Sequence, residues 1–179
     1  VVGFIVDYRN LIVQPELRLE NADRSYIRGI EGNIQGRLFN VLKLYVGGTW
    51  QEAWKETWLK ALNVSVTGPL PLVPKFTING SLTYTPIESL FLLVSMNYVG
   101  PYKEPFTLID LNGQMIPETN PGHKKLDSTV SYTFLRALGP IDTLDLFLRA
   151  ENLLDERYAE VGGFPAPPRT FLFGASLRI

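Results

Sequence analysis

Thr170-Phe171-Leu172-Phe173-Gly174-Ala175-Ser176-Leu177-Arg178-Ile179 is the stretch whose reading decides the fold. Phe171, Phe173, Ala175, Leu177 and Ile179 share one parity. Thr170, Gly174, Ser176 and Arg178 share the other, interrupted only by Leu172. Alternation with period two belongs to a strand with one apolar and one polar face. About 10 residues is also the length a tilted strand needs to cross a bilayer. A strand in this last position, still in need of two neighbours, is expected to close a membrane barrel. The same pattern suits the final strand of a soluble sandwich or a lipocalin-like barrel, and that alternative stays open on this stretch alone.

Working outward, the alternation recurs. Leu42, Leu44 and Val46 share a face up to Trp50, and Phe76, Ile78, Leu82 and Tyr84 oppose Lys75, Thr77, Asn79, Ser81 and Thr83. Leu90, Leu92, Val94, Met96 and Tyr98 form another apolar row; Leu126, Val130, Tyr132 and Phe134 form the next, and Leu144, Leu146, Leu148 and Ala150 the last before the tail. Residues 1–13 and roughly 23–38 read as two more strands, which gives an expected count of eight. The links between them alternate in length. Those around Phe39–Val41, Thr85–Ser89 and Ala137–Ile141 are short; those around Ala53–Leu72, Pro101–Gly122 and Asp155–Pro168 are long. Short turns on one rim and long loops on the other is the arrangement of outer-membrane barrels, and counting back from the tail puts the short turns on the periplasmic side. Lys43, Lys75, Asp127, Asp145, Arg149 and Arg178 all fall on the polar parity, whereas Arg28 falls on the apolar one near the expected outer rim.

Composition excludes several classes. The 179 residues carry a net charge of −1, against the clear basic excess of a nucleic-acid partner. Cysteine is absent, which removes disulfides, thiolate metal sites and cysteine nucleophiles together. No apolar run approaches the roughly 18 residues of a spanning helix, and the mean hydropathy of +0.04 is compatible with a membrane barrel, whose lumen-facing residues offset its lipid-facing ones. The phosphate-loop, nucleophile-elbow and zinc-protease patterns do not occur. The single histidine, His123, is expected at the surface. Glu151 and Asp155, like Glu16/Glu20 and Glu52/Glu56, read as rim charges. No catalytic residue, metal site or cofactor is expected, and the chain is not read as an enzyme.

Trp50, Trp54 and Trp58 recur every four residues. In a long strand all three share one face, as in an aromatic belt; in a short amphipathic helix Trp54, Trp58 and Leu62 form a stripe instead. A third role is to stack on a flat or apolar ligand. Trp54 and Trp58, with Tyr102 and Phe106 of the next long loop, are therefore the candidate ligand-binding residues.

Glu151-Asn152-Leu153-Leu154-Asp155-Glu156-Arg157-Tyr158, followed by Gly162-Gly163-Phe164-Pro165-Ala166-Pro167-Pro168-Arg169-Thr170-Phe171, closely resembles the C-terminus of TonB-dependent outer-membrane receptors. Asn152, Leu153, Asp155, Tyr158, Gly163, Pro165, Arg169, Phe171 and Phe173 carry that tail resemblance. Upstream, Tyr8-Arg9-Asn10-Leu11-Ile12, Glu20-Asn21-Ala22, Ile27-Arg28-Gly29-Ile30-Glu31, Leu72-Val73-Pro74-Lys75 and Tyr98-Val99-Gly100 resemble further family segments in the right order. Two positions depart from the family pattern: the chain ends in Ile179 rather than Phe, and Gly32 stands where a larger residue is common.

The resemblance implies an all-β, antiparallel, 22-stranded transmembrane barrel, of which residues 1–179 would be the C-terminal eight strands, without the plug and its coupling box. It also implies import of an iron-siderophore, cobalamin or similar scarce solute across a Gram-negative outer membrane. The implied partners are the TonB system through the N-terminal part, outer-membrane lipid and lipopolysaccharide, and the barrel-assembly machinery. The opening Val1-Val2-Gly3-Phe4 has no initiator Met and reads as mid-strand, so a longer protein is expected. The alternative is a self-contained eight-stranded barrel acting as an anchor or adhesin, a strand number that small barrels allow. Locally, Pro165, Pro167 and Pro168 stiffen their link, Gly162-Gly163 permits a turn, and Asn152 and Asp155 suit an Asx turn. All of these are read as scaffold.

Overall fold

The computed structural model describes residues 1–13, 20–59, 63–104, 119–139 and 141–179. Their regular structure is entirely β, and no helix among them is long and apolar enough to cross a membrane. The long strands are β1 (Val2–Val13), β2 (Glu20–Leu38), β3 (Leu42–Leu59), β5 (Phe76–Ile87), β6 (Leu90–Val99), β9 (His123–Leu138), β10 (Ile141–Glu151) and β13 (Thr170–Arg178). They form one antiparallel meander in the order β1-β2-β3-β5-β6-β9-β10-β13. β4 (Val64–Pro69) lies off this path against β3, so the sheet has nine strands rather than the expected eight.

Register turns sequence parity into two chemically distinct faces. Phe173, Leu148, Val130, Leu92, Tyr84, Leu42 and Leu38 are successive cross-strand partners, an apolar row running through seven strands. One residue away, Leu172, Arg149, Thr129, Leu93, Thr83, Lys43 and Arg37 form the corresponding row of the opposite face, which is mostly polar. Cross-strand neighbours are the unit of sheet stabilisation, and a one-residue slip would exchange the faces wholesale.

The apolar face is not covered. Ile34, Leu82, Met96, Leu146 and Phe173 are all exposed, the last at 88%. Among the described residues only Leu70, Tyr102 and Ala150 count as buried hydrophobics. The surface totals 12696 Å², whereas a water-soluble monomer of this mass exposes about 8,800 Å². A continuous exposed apolar face of this kind calls for a covering partner surface, a membrane or another protein. The apolar rows do not meet one another across a dry interior, which disfavours the soluble sandwich and the lipocalin-like barrel.

The rims differ as expected. β2 turns into β3 through Phe39 and Asn40, both left-handed with φ of 50° and 58°. β5 meets β6 across Glu88-Ser89, and β9 meets β10 through Gly139 with φ of 62°. At the opposite rim the strand ends are separated by longer spans of sequence, Leu59 from Phe76, Val99 from His123 and Glu151 from Thr170.

Two readings need correction. The link around Ala53–Leu72 is not a loop: β3 continues to Leu59 and β4 pairs back on it, with Thr57 opposite Val66 and Leu59 opposite Val64. Past Trp50 the carboxylates of its outer parity face arginines across the register, and Glu52 pairs with Arg28 at 2.7 Å. Glu52 stands opposite Arg28 and Glu56 opposite Arg24 on β2. Trp54 and Trp58 therefore sit on a strand and not on a short helix. Gly29 is required on the neighbouring strand, since a Cβ there would stand 2.4 Å from the Trp50 carbonyl oxygen. The second correction concerns closure. β1 and β13 each have one neighbour among the described residues and do not pair with each other, so the small closed barrel does not form. Both outer edges of the sheet are therefore open among the described residues.

Candidate functional site

The long-loop rim is organised from the tail motif upward. Asn152 ends β10 with φ of 52° and is 2% exposed. Its Nδ2 donates to the carbonyls of Glu156 at 3.0 Å and Pro167 at 3.2 Å, and its Oδ1 accepts from Glu156 N at 3.2 Å. Its own N–H donates to Asp127 Oδ1 at 2.9 Å. The Leu153 N–H reaches the Leu126 carbonyl at 2.7 Å. Asp155, also left-handed with φ of 50°, accepts the Arg169 N–H at 3.0 Å, while Arg169 Nη1 reaches the Leu153 carbonyl at 3.4 Å. One turn thus fixes both the top of β10 and the lead-in to β13. Phe171 and Phe173 then stand exposed on the apolar face.

Two short ribbons rise above the sheet: β7 (Tyr102–Lys103) with β8 (Thr119–Asn120), and β11 (Ala159–Val161) with β12 (Phe164–Pro165). Gly163, φ 87°, makes the turn of the second. The ribbons are joined. The Tyr102 hydroxyl donates to the Glu160 carbonyl, and Asn120 Nδ2 donates to the Ala159 carbonyl at 2.9 Å and to Glu104 Oε1 at 2.8 Å. Glu104 Oε1 also accepts the Gly162 N–H at 3.0 Å. Burial first, then Glu104 and Glu160, raises the Tyr102 pKa, so its hydroxyl keeps the proton it donates. At the base Gly122, φ 77°, approaches the Val99 carbonyl so closely that a Cβ would lie 2.1 Å from it. Glu104→Ala removes two hydrogen bonds to a carboxylate and is expected to loosen both ribbons by about 2 kcal/mol, while Glu104→Gln keeps an acceptor and costs under about 1 kcal/mol. Amide exchange at residues 119–122 and 159–162 measures this, and unchanged protection in the alanine variant would contradict it.

On the polar face, beneath β11–β12, lies a pocket of about 460 Å³ lined by Lys125, Glu151, Tyr158, Glu160, Phe164 and Pro167 among others. Lys125 pairs with Asp127 at 3.2 Å and Glu151 with Arg149 at 2.8 Å. Tyr158 stacks on His123 with ring centroids 4.1 Å apart. His123 is buried, contrary to its expected surface position, because the tail loop folds Tyr158 over the polar side of β9.

The opposite face carries a second feature at the same rim. Trp54 stacks on Tyr26 at 5.7 Å; Arg28 lies over Trp54 at 5.3 Å and Arg24 over Tyr26 at 4.2 Å. Each arginine also holds a carboxylate: Arg28 with Glu52 at 2.7 Å and Arg24 with Asp7 at 2.8 Å. A groove of about 810 Å³ separates this ladder and β4 from β7–β8.

Of the candidate ligand-binding residues, Trp54 and Tyr102 line that one groove. Trp58 stands farther along β3, opposite Ser65 and half exposed. Phe106 lies outside the described residues. Sequence reading missed Glu104, Asn120 and the Arg24–Tyr26–Trp54–Arg28 ladder; shared parity on β2 and β3 is the signal for the ladder, legible once their register is known. Among the described residues no group of His, Asp and Glu is arranged to hold a metal ion.

The family profile described as the β-barrel of TonB-dependent receptor-like proteins matches residues 1–153. No curated protein matches the sequence. Among solved structures, the chain is similar to the closed form of the ferric-catecholate import receptor Fiu from E. coli K12. The TM-score is 0.69 at 21% identity, over 97% of this chain and 24% of that one. It is also similar to the siderophore receptor PiuA from Acinetobacter baumannii, with a TM-score of 0.68 at 18% identity, over 97% and 24%. The ferric yersiniabactin uptake receptor FyuA from Yersinia pestis gives a TM-score of 0.63 at 18% identity, over 96% and 24%. The chain thus spans about a quarter of the length of these structures.

Proposed function

Because the chain belongs to the TonB-dependent receptor-like β-barrel family, we propose that it forms part of the wall and outer vestibule of an active transporter in a Gram-negative outer membrane. The cargo is a scarce solute of the iron-siderophore class, with cobalamin-like solutes as the neighbouring possibility, and TonB supplies the energy through a plug-bearing N-terminal part. In this reading residues 1–179 are the C-terminal strands of a larger, 22-stranded barrel. The barrel-assembly machinery is the partner that would insert them. The observation that carries the proposal is the division of one open sheet into an uncovered apolar face and a polar face, with all the long connections on one rim. The apolar face meets lipid and the polar face lines the interior. Substrate contact is accordingly assigned to the polar-face pocket of Lys125, Glu151, Tyr158 and Glu160 rather than to Trp54 and Trp58, which share the apolar parity.

The test is genetic and biochemical. A strain deleted for the full-length gene should lose growth on at least one ferric chelate or corrinoid as sole source and recover it on complementation. The protein should sediment with the outer membrane and shift in gel mobility on boiling. Growth indistinguishable from wild type on every such source, or recovery in the aqueous fraction, would overturn the proposal.

A further inference from the structure

We infer that the pocket beneath β11–β12 is a subsite for a protonated amine on the cargo, so that the receptor selects chelates with an ammonium arm over anionic ones. The inference rests on the substrate site proposed above and specifies the charge that enters it.

The walls of this pocket of about 460 Å³ are aromatic and apolar: Tyr158, Phe164, Pro165, Pro167 and Pro168. Tyr158 is held from one side by the buried His123, stacked at 4.1 Å. The His123 Nδ1 meets no partner among the described residues, so the imidazole brings no ion pair to the site. Phe164, on β12, is 72% exposed, and its ring is open to whatever enters.

The charged residues of the lining are Lys125, Glu151 and Glu160. Two of them are neutralised in place, Lys125 by Asp127 at 3.2 Å and Glu151 by Arg149 at 2.8 Å. Glu160 is left over. Its carbonyl accepts the Tyr102 hydroxyl, whereas its carboxylate has no cation within ion-pair distance among the described residues. The flanking sequence does not reverse the sign. Residues 100–122 carry Lys103 against Glu104, Asp110 and Glu118, and residues 152–169 carry Arg157 and Arg169 against Asp155, Glu156 and Glu160.

A surplus carboxylate among aromatic rings suits one kind of group. The negative face of a ring attracts a cation within about 6 Å of its centre, and the carboxylate supplies the counter-charge. A catecholate or carboxylate arm would instead bring a second negative charge against Glu160, and like charges disfavour each other most where water is displaced. A neutral arm would use the rings and gain nothing from Glu160. The ribbons are docked through the main chain of this residue, so its side chain is free for a ligand.

The experiment uses the full-length receptor purified in detergent at about pH 7 and three ferric probes. These are a linear trihydroxamate ending in a primary amine, the same chelate N-acetylated, and a tris-catecholate. Alkylamines are protonated at this pH, so the first two differ by one charge at one place. Wild type should bind the ammonium chelate about ten-fold more tightly than its acetylated form, and the tris-catecholate more weakly than either. Glu160→Gln should bring the first two within about two-fold of each other while keeping the mobility shift on boiling. Phe164→Leu keeps an apolar wall without a ring and should narrow the preference to about three-fold. Equal binding of the first two, binding of neither, tighter binding of the tris-catecholate, or a preference retained in the folded Glu160→Gln protein would overturn the inference. Failure of the transport reading is separable. A deletion strain that grows normally on every ferric source removes that reading whatever the receptor's charge preference, and restored growth on a ferric chelate without the preference removes the ammonium subsite alone.

Discussion

Asn152→Ala is expected to cost about 3–5 kcal/mol and to leave most of the full-length barrel unfolded or loosely closed at its tail. The change strips partners from the carbonyls of Glu156 and Pro167 and from the Glu156 N–H, around a side chain that is 2% exposed. Buried groups left unsatisfied cost about 1–3 kcal/mol each, with water recovering part of that. Alanine also tolerates the left-handed φ of 52° less well than asparagine, at roughly 1 kcal/mol. Asn152→Asp keeps an acceptor for Glu156 N–H and loses both donors, so it should fall between the two. The readout is the urea midpoint of the mobility-shifted form. A midpoint unchanged in the alanine variant would show that the turn is held by the chain on either side and not by this side chain.

Met96→Arg is the second large effect, expected to destabilise by about 2–4 kcal/mol, the cost of a cation on a lipid face at mid-membrane. Met96 is exposed in β6 with Gly80 and Leu126 as direct neighbours. Its chain neighbour Asn97 points to the polar face opposite Asn79 and Lys125, so Asn97→Arg should cost about 1 kcal/mol or less. The pair controls for strand propensity and for the residue introduced. Equal losses, measured as unfolding in detergent micelles and again in bilayers, would falsify the assignment of faces. This comparison needs no knowledge of the substrate.

The faces were legible in the sequence because apolar and polar residues alternate along these strands with few interruptions, such as Leu93 and Leu172. Leu82, Val94, Met96 and Leu146 declare themselves one strand at a time. The extension of β3 was not legible, since Glu52 and Glu56 break the apolar parity and a single strand gives no reason for them. For Glu52 the reason lies on β2, where Arg28 stands opposite and pairs with it. Register follows from the tight turn at Phe39-Asn40, which puts Leu38 opposite Leu42 and every later pair in step. The ribbons β7–β8 and β11–β12 escaped notice for a different cause. Strands of two or three residues carry no period, and what holds them is side-chain bonding from Glu104 and Asn120 across long stretches of chain. The tail motif was recognisable, but its physical content, an asparagine satisfying three backbone groups at once, needed coordinates.

The joint between the two upper ribbons treats its halves unequally. From residues 102–120 it takes the hydroxyl of Tyr102, the carboxylate of Glu104 and the amide of Asn120; from residues 159–162 it takes only main-chain atoms. Every amino acid brings the carbonyls used at positions 159 and 160, and all but proline bring the N–H used at 162. The docking therefore places no demand on the side chains of residues 159, 160 and 162, and that segment can change them while staying docked. Its partner must hold three side chains constant to keep it there.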